Sequence, residues 1–138
     1  MSDITITAAS VSKQGTTAAV ETGTAGASIT AGQAVYKDAT DNKFKLADSN
    51  SATAAAREFY GIALHASADG QPLSVMTSGD INIGATVAVG TIYVLSGTAG
   101  GIAPAADLAS GMYTSVIGVA ITTGRIRLGK LVSGVAVP

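Results

Sequence analysis

The chain is cut into short apolar runs of period two, each closed by glycine, aspartate, asparagine or serine. Phe44 and Leu46 alternate with Lys43 and Lys45, and Ile62 and Leu64 with Ala63 and His65. Leu73 and Val75 alternate with Ser74 and Met76. Ile81 and Ile83 flank Asn82, Val87 and Val89 flank Ala88, and Ile126 and Leu128 alternate with Arg125 and Arg127. Val35 and Tyr36 follow the turn Ala31-Gly32. A period of two is that of a half-buried strand. Turn residues that recur about every 8–12 positions mark a sandwich or barrel. Residues 51–58 and 104–110 read as one or two helical turns each between strands, the second opened by Pro104 and stopped by Gly111. The predicted fold is all-β, a small barrel or sandwich with one or two short helical turns.

The material of the core is unusual for a single domain of 138 residues. Hydrophobic residues make up 47% of the chain but aromatics only 4%, and much of the apolar share is alanine. Large aromatic side chains normally dominate burial energy. A core of Ala, Val, Ile and Leu gains less per residue, which favours burying further surface against copies or a partner.

Charge excludes several function classes. Charged residues are 12% of the chain and the net charge is −1. The eight Lys and Arg are scattered and form no basic face for nucleic acid. Nor is there a basic amphipathic stretch for a membrane surface. With no cysteine, disulfides, zinc-thiolate sites and cysteine nucleophiles are all ruled out. The N-terminus lacks a basic region followed by an apolar one, so no signal peptide is expected. The uncharged residues 81–106 are long enough to span a bilayer. However, Gly84, Gly90, Gly97, Gly100, Gly101 and Pro104 break them into strands and turns.

The chain repeats itself. Residues 32–36 resemble 90–94, and Leu46-Ala47-Asp48 resembles Ala105-Ala106-Asp107. Tyr60-Gly61-Ile62-Ala63 matches Ile117-Gly118-Val119-Ala120, and Ser78-Gly79-Asp80-Ile81 matches Ser133-Gly134-Val135-Ala136. The order is strand, hairpin turn, strand, helical turn, glycine-led strand, closing strand. Residues 29–138 are therefore read as one β-rich domain of two similar units, 29–84 and 85–138. Residues 1–28, poor in large apolar side chains, are read as an extended N-terminal arm that needs something to lie on, with one edge strand at Ile4 and Ile6. Its removal is expected to leave the domain folded.

Residue types that carry chemistry are present but not assembled. His65 is the one histidine, and no G-x-S-x-G pattern supplies a nucleophile for it. One histidine cannot hold a metal. Asp38, Asp41 and Asn42 form an oxygen cluster, yet no glutamate closes it as a calcium loop requires. A turn using Asp and Asn is the better reading. Residues 124–130 fit G-x-x-x-x-G-K, but Leu131 stands where a magnesium-binding hydroxyl belongs, and the run reads as a strand. Arg57-Glu58, Arg125 and Arg127 are charged spots suited to solvent or to an acidic partner surface. The expectation is a non-enzymatic protein with no cofactor and no metal.

Four runs carry a family resemblance. ITAGQAVYKDATDNKFKLAD (29–48), YGIALHASADGQPLSVMTSGDINIG (60–84), VGTIYVLSGTAGGIAPAADL (89–108) and VIGVAITTGRIRLGKLVSGVAV (116–137) resemble capsid decoration, or cement, proteins of tailed bacteriophages. The resemblance rests on the phrases AGQxVY, GIAL and GxxYVxS, and covers residue 29 to the C-terminus. It implies a virion protein on the capsid surface, made in the host cytoplasm. It also implies a homotrimer whose partner is the major capsid protein, with no nucleic acid and no membrane. In such proteins an N-terminal arm orders on the capsid, which makes Ile4, Ile6, Val11 and Val20 the candidate capsid-contact residues. The alternative is a fibre- or tail-associated virion module with a receptor- or partner-binding role.

Overall fold

The computed structural model describes residues 3–138, without the side chains of residues 15–17. The fold is all-β. Nine strands follow one another: β1 (Ser12–Ala25), β2 (Ala34–Lys37), β3 (Lys43–Leu46), β4 (Gly61–Ala63), β5 (Pro72–Asn82), β6 (Ile92–Leu95), β7 (Ile102–Pro104), β8 (Tyr113–Ala120) and β9 (Arg125–Ala136). Among the described residues the helical content is three single 3₁₀ turns, Ala8–Ser10, Ala54–Arg57 and Ala105–Asp107. The last two fall where helix formers interrupt the strand pattern.

Five strands close on themselves. β1 runs antiparallel to β5 from Ser12 opposite Asn82 to Thr24 opposite Pro72. At its end β1 turns parallel to β3, pairing Thr24 with Lys43 and Ala25 with Phe44. β3 pairs with β2, β2 with β4, and β4 with β5, so the ring β1-β3-β2-β4-β5 returns to β1. From this small barrel the sheet continues through β9, β8, β6 and β7. Residues 34–82 pair in the order β3-β2-β4-β5, and residues 92–136 in the order β7-β6-β8-β9. The two units meet antiparallel along β5 and β9, where Asp80 faces Arg127.

Strand alternation feeds two cores. Val35, Phe44, Ala63, Leu73 and Val75 fill the barrel with Ala25 and Ile29. The neighbouring positions Ala34, Tyr36, Ile62 and Met76 face the other way, into a larger core with Ile81, Tyr93, Leu95, Ile102, Ile117 and Ile126. β2 and β4 are thus buried on both faces, which explains why apolar residues stand side by side at Val35-Tyr36 and Ile62-Ala63.

The repeated glycines have a packing reason. A Cβ on Gly118 would lie 2.1 Å from the Arg127 carbonyl oxygen on β9. A Cβ on Gly61 would lie 2.8 Å from the Met76 carbonyl oxygen on β5. In each unit the third strand approaches the fourth so closely that only hydrogen fits.

Several elements differ from the sequence reading. The runs at Leu73-Val75 and Ile81-Ile83 belong to one long region, because β5 continues through Ser78-Gly79-Asp80. Gly79, at φ +100°, sits where the β1–β5 register shifts, with Ala18 Cα 2.7 Å from the position its Cβ would take. The turn residues are a bulge, not a break. Val87 and Val89 lie in a loop, not a strand: Val87 is buried and donates its N–H to Thr123 O, while Val89 is exposed. Ile4 and Ile6 form no strand, although Ile4 donates one backbone bond to Ile102 O on β7.

Candidate interaction surface

The residues singled out for chemistry are engaged in holding turns. His65 Nε2 accepts the Ser74 N–H at 3.0 Å, which leaves the ring hydrogen on Nδ1, 2.9 Å from Ala66 O. The imidazole ties the β4–β5 loop to β5. Asp38 Oδ1 accepts the Thr40 N–H at 2.9 Å and Asp41 Oδ1 the Lys43 N–H at 3.0 Å. These side chains shape the β2–β3 turn, with Asn42 at φ 63°. Lys45 Nζ bridges Asp38 Oδ2 at 2.7 Å and Asp41 Oδ2 at 3.1 Å. The Lys45 bond lowers the Asp38 pKa most, while for Asp41 the Lys43 N–H leads and Lys45 follows. Residues 125–130 lie in β9, so the G-x-x-x-x-G-K run forms no phosphate cradle. Among the described residues no group of three or more His, Cys, Asp or Glu converges to hold a metal.

The four candidate arm residues do not share one surface. Val11 is part of the main core, and Ile4 and Ile6 pack against it. Val20, on β1 opposite Met76, is 42% exposed. Residues 12–25 lie in β1 along β5. On its other edge β1 meets β3 only at Thr24 and Ala25, so residues 12–23 present an open edge there among the described residues.

A second open edge arises from a fork in the sheet. β5 holds β1 along one edge. Its other edge is shared: β9 occupies Gly79–Asn82, through Leu128 to Arg125, and β4 occupies Val75 and Met76. Beyond Leu128 β9 parts from β5 and keeps a strand on one side only, β8. Residues 54–60 line the angle of the fork. Two adjoining depressions of about 190 and 210 Å³ open there and share Ala55, Glu58 and Val132. Lys37, Tyr60 and Lys130 line one, and Arg57, Tyr113 and Gly134 the other.

The charges around this groove are arranged on rings. Tyr60 donates its hydroxyl to Glu21 Oε2, and Lys37 Nζ bonds Glu21 Oε1 at 2.9 Å. The Tyr60 bond, then the Lys37 bond, holds Glu21 below its ordinary carboxylate value, and the Glu21 bond raises Tyr60. Lys130 Nζ stands 4.9 Å from the centre of the Tyr60 ring. The Arg57 guanidinium stacks 3.9 Å above the Tyr113 ring and donates to Ser51 O and Ala52 O.

The outer face of the central strands carries a cross-strand row. Ile92 pairs with Val119, Val119 with Arg127, Arg127 with Asp80, and Asp80 with Gln14. Arg127 grips Asp80 with two bonds, 2.9 Å from Nε to Oδ1 and 3.2 Å from Nη2 to Oδ2. The apolar end of the row is exposed, Ile92 at 46% and Val119 at 39%. Leu131 and Val135 on β9 are more exposed still.

Sequence reasoning marked Arg57-Glu58, Arg127 and Val20 as candidate contacts, and they lie on these surfaces, but it did not assemble the surfaces, because open edges and the fork depend on which distant strands pair. No family model matches the chain, and no curated protein matches it.

Proposed function

We propose that the chain is a structural virion protein that binds the outside of a phage head and stabilises the capsid by clamping neighbouring major capsid subunits. The observation that carries this reading is the open edge of β1. Its residues 12–23 offer backbone donors and acceptors to a neighbouring strand, with Val20 exposed beside them. Strand addition draws on backbone hydrogen bonds and tolerates small, bland side chains, which suits the Ser, Thr, Ala and Gly of β1. The sequence phrases shared with decoration proteins point the same way. The exposed Ile92 and Val119 give a second, apolar contact surface. Engagement as a homotrimer multiplies weak single contacts through effective concentration.

The test is immunogold electron microscopy of virus particles from the source of the sequence, with antibody raised against this chain. Label over the whole head surface is the expected result. Label confined to tails or fibres replaces the proposal with a fibre- or tail-associated role. Unlabelled particles overturn both.

A further inference from the structure

We propose that the fork between β9 and residues 54–60 is a docking groove for an extended, carboxylate-bearing segment of a partner protein, which adds as a strand to β9 at residues 129–133. This surface is distinct from the β1 edge used above, and the inference does not depend on the partner being a capsid subunit.

Three observations carry it. First, β9 loses β5 as a neighbour after Leu128, because β4 takes over the edge of β5 at Val75 and Met76. The backbone from Gly129 onward is then paired on one side only among the described residues. An exposed edge of this kind is a template for a further strand.

Second, the open edge borders a formed groove. Ile126 and Leu128 are buried, and the positions that continue their row, Lys130, Val132 and Gly134, line the groove with Phe59 and Ala55. An added strand there places alternate side chains against Val132 and Ala55, both partly exposed.

Third, two cations of the groove lack an ion-pair partner. Lys130 stands over Tyr60 and Arg57 over Tyr113, and neither has a carboxylate partner among the described residues. Glu21, the acid nearest Tyr60, is already bound by Tyr60 and Lys37. Glu58 is the one acid in the lining. A ligand with carboxylates at alternate positions supplies what these two cations lack. The nine acids of this chain are scattered, and Asp38 and Asp41 are taken by Lys45. A second copy is therefore a poor source of the segment.

The experiment is a nitrogen-15 NMR titration of the full chain. The probe is a capped eight-residue peptide alternating valine with glutamate, and the control has lysine for each glutamate. The expected result is amide shifts centred on residues 129–133 and Tyr60, slower hydrogen exchange at residues 129–133, and no response to the lysine peptide. Lys130→Glu should weaken binding at least tenfold, with amide signals outside the groove unchanged. The proposal is overturned by an absence of shifts at millimolar peptide, by shifts centred elsewhere, or by equal response to both peptides. It is also overturned if sedimentation shows self-association and dilution alone exposes the β9 amides, which would make a second copy the occupant.

Discussion

Tyr60 donates its hydroxyl hydrogen to Glu21, and this bond ties the start of β4 to β1 across the barrel. Lys37 on β2 completes the set through the second Glu21 oxygen at 2.9 Å. Three strands that are far apart in sequence are thus latched at one carboxylate. Tyr60→Phe is expected to cost about 1.5 kcal/mol at pH 7, the low end for a hydrogen bond to a charged group because Glu21 is partly exposed, with Glu21 shifting back toward its ordinary pKa. Thermal melts and carbon-13 NMR of the Glu21 carboxyl check both. An unshifted Glu21 in Tyr60→Phe contradicts the latch.

The latch also sets a pH dependence. Glu21 is lowered in the folded chain. Its contribution is therefore complete above its unfolded pKa of about 4.3 and is lost as pH falls through the lower folded value. Tyr60 is raised, so its contribution is complete below about 10 and is lost as pH rises through the raised folded value. The stability difference between the parent chain and Glu21→Gln should be full near pH 7 and vanish at the acid end. A difference that persists unchanged to pH 2 argues against it.

Removing residues 1–27 is not a clean test of the arm. β1 is a wall of the barrel, and the barrel filling it helps enclose includes Phe44, Leu73 and Val75. The truncated chain is expected to lose cooperative unfolding by calorimetry. Val20→Lys, at an exposed position on β1, should leave the melting curve within about 0.5 kcal/mol of the parent, and so isolates contact from folding.

The glycines separate by their surroundings. Gly118→Ala drives a methyl group against the Arg127 carbonyl and should destabilise by more than about 3 kcal/mol, in the range kept for disrupted cores and strained backbones. Gly129→Ala meets nothing within 4 Å and should be close to neutral. Urea unfolding of the two variants decides it, and equal effects would remove the close-approach argument.

Phe44 is fully buried in the barrel, its ring centre 5.7 Å from that of Tyr60. Phe44→Ala is expected to cost about 3–5 kcal/mol. In contrast, Asn42→Ala, which places a Cβ-bearing residue without a polar side chain at φ 63°, should cost about 1–2 kcal/mol, and Asn42→Gly much less. Both are read from denaturant midpoints.

The fold class was open to view in the period-two runs, and the short helical turns in Ala-rich stretches. Val35 and Tyr36 were read as part of a half-buried strand, whereas β2 is covered on both faces. β1 was hidden because Ser, Thr, Ala and Gly carry almost no burial signal, and its strand character comes from lying along β5. One strand looked like two at Ser78-Gly79-Asp80, since a bulge uses the same residues as a turn. The alternation of Val87 and Val89 misled in the other direction: two apolar residues are too few to establish a strand. The groove was out of reach because Lys130, Arg57 and Tyr60 come from segments whose meeting is decided by strand pairing.

Whether this chain coats a phage head, as proposed, is decided most directly by its copy number. Quantitative mass spectrometry of purified particles from the source would give the ratio of this chain to the major capsid protein. The expected ratio is near one or a sizeable fraction of it. A handful of copies per particle, or none, would contradict it.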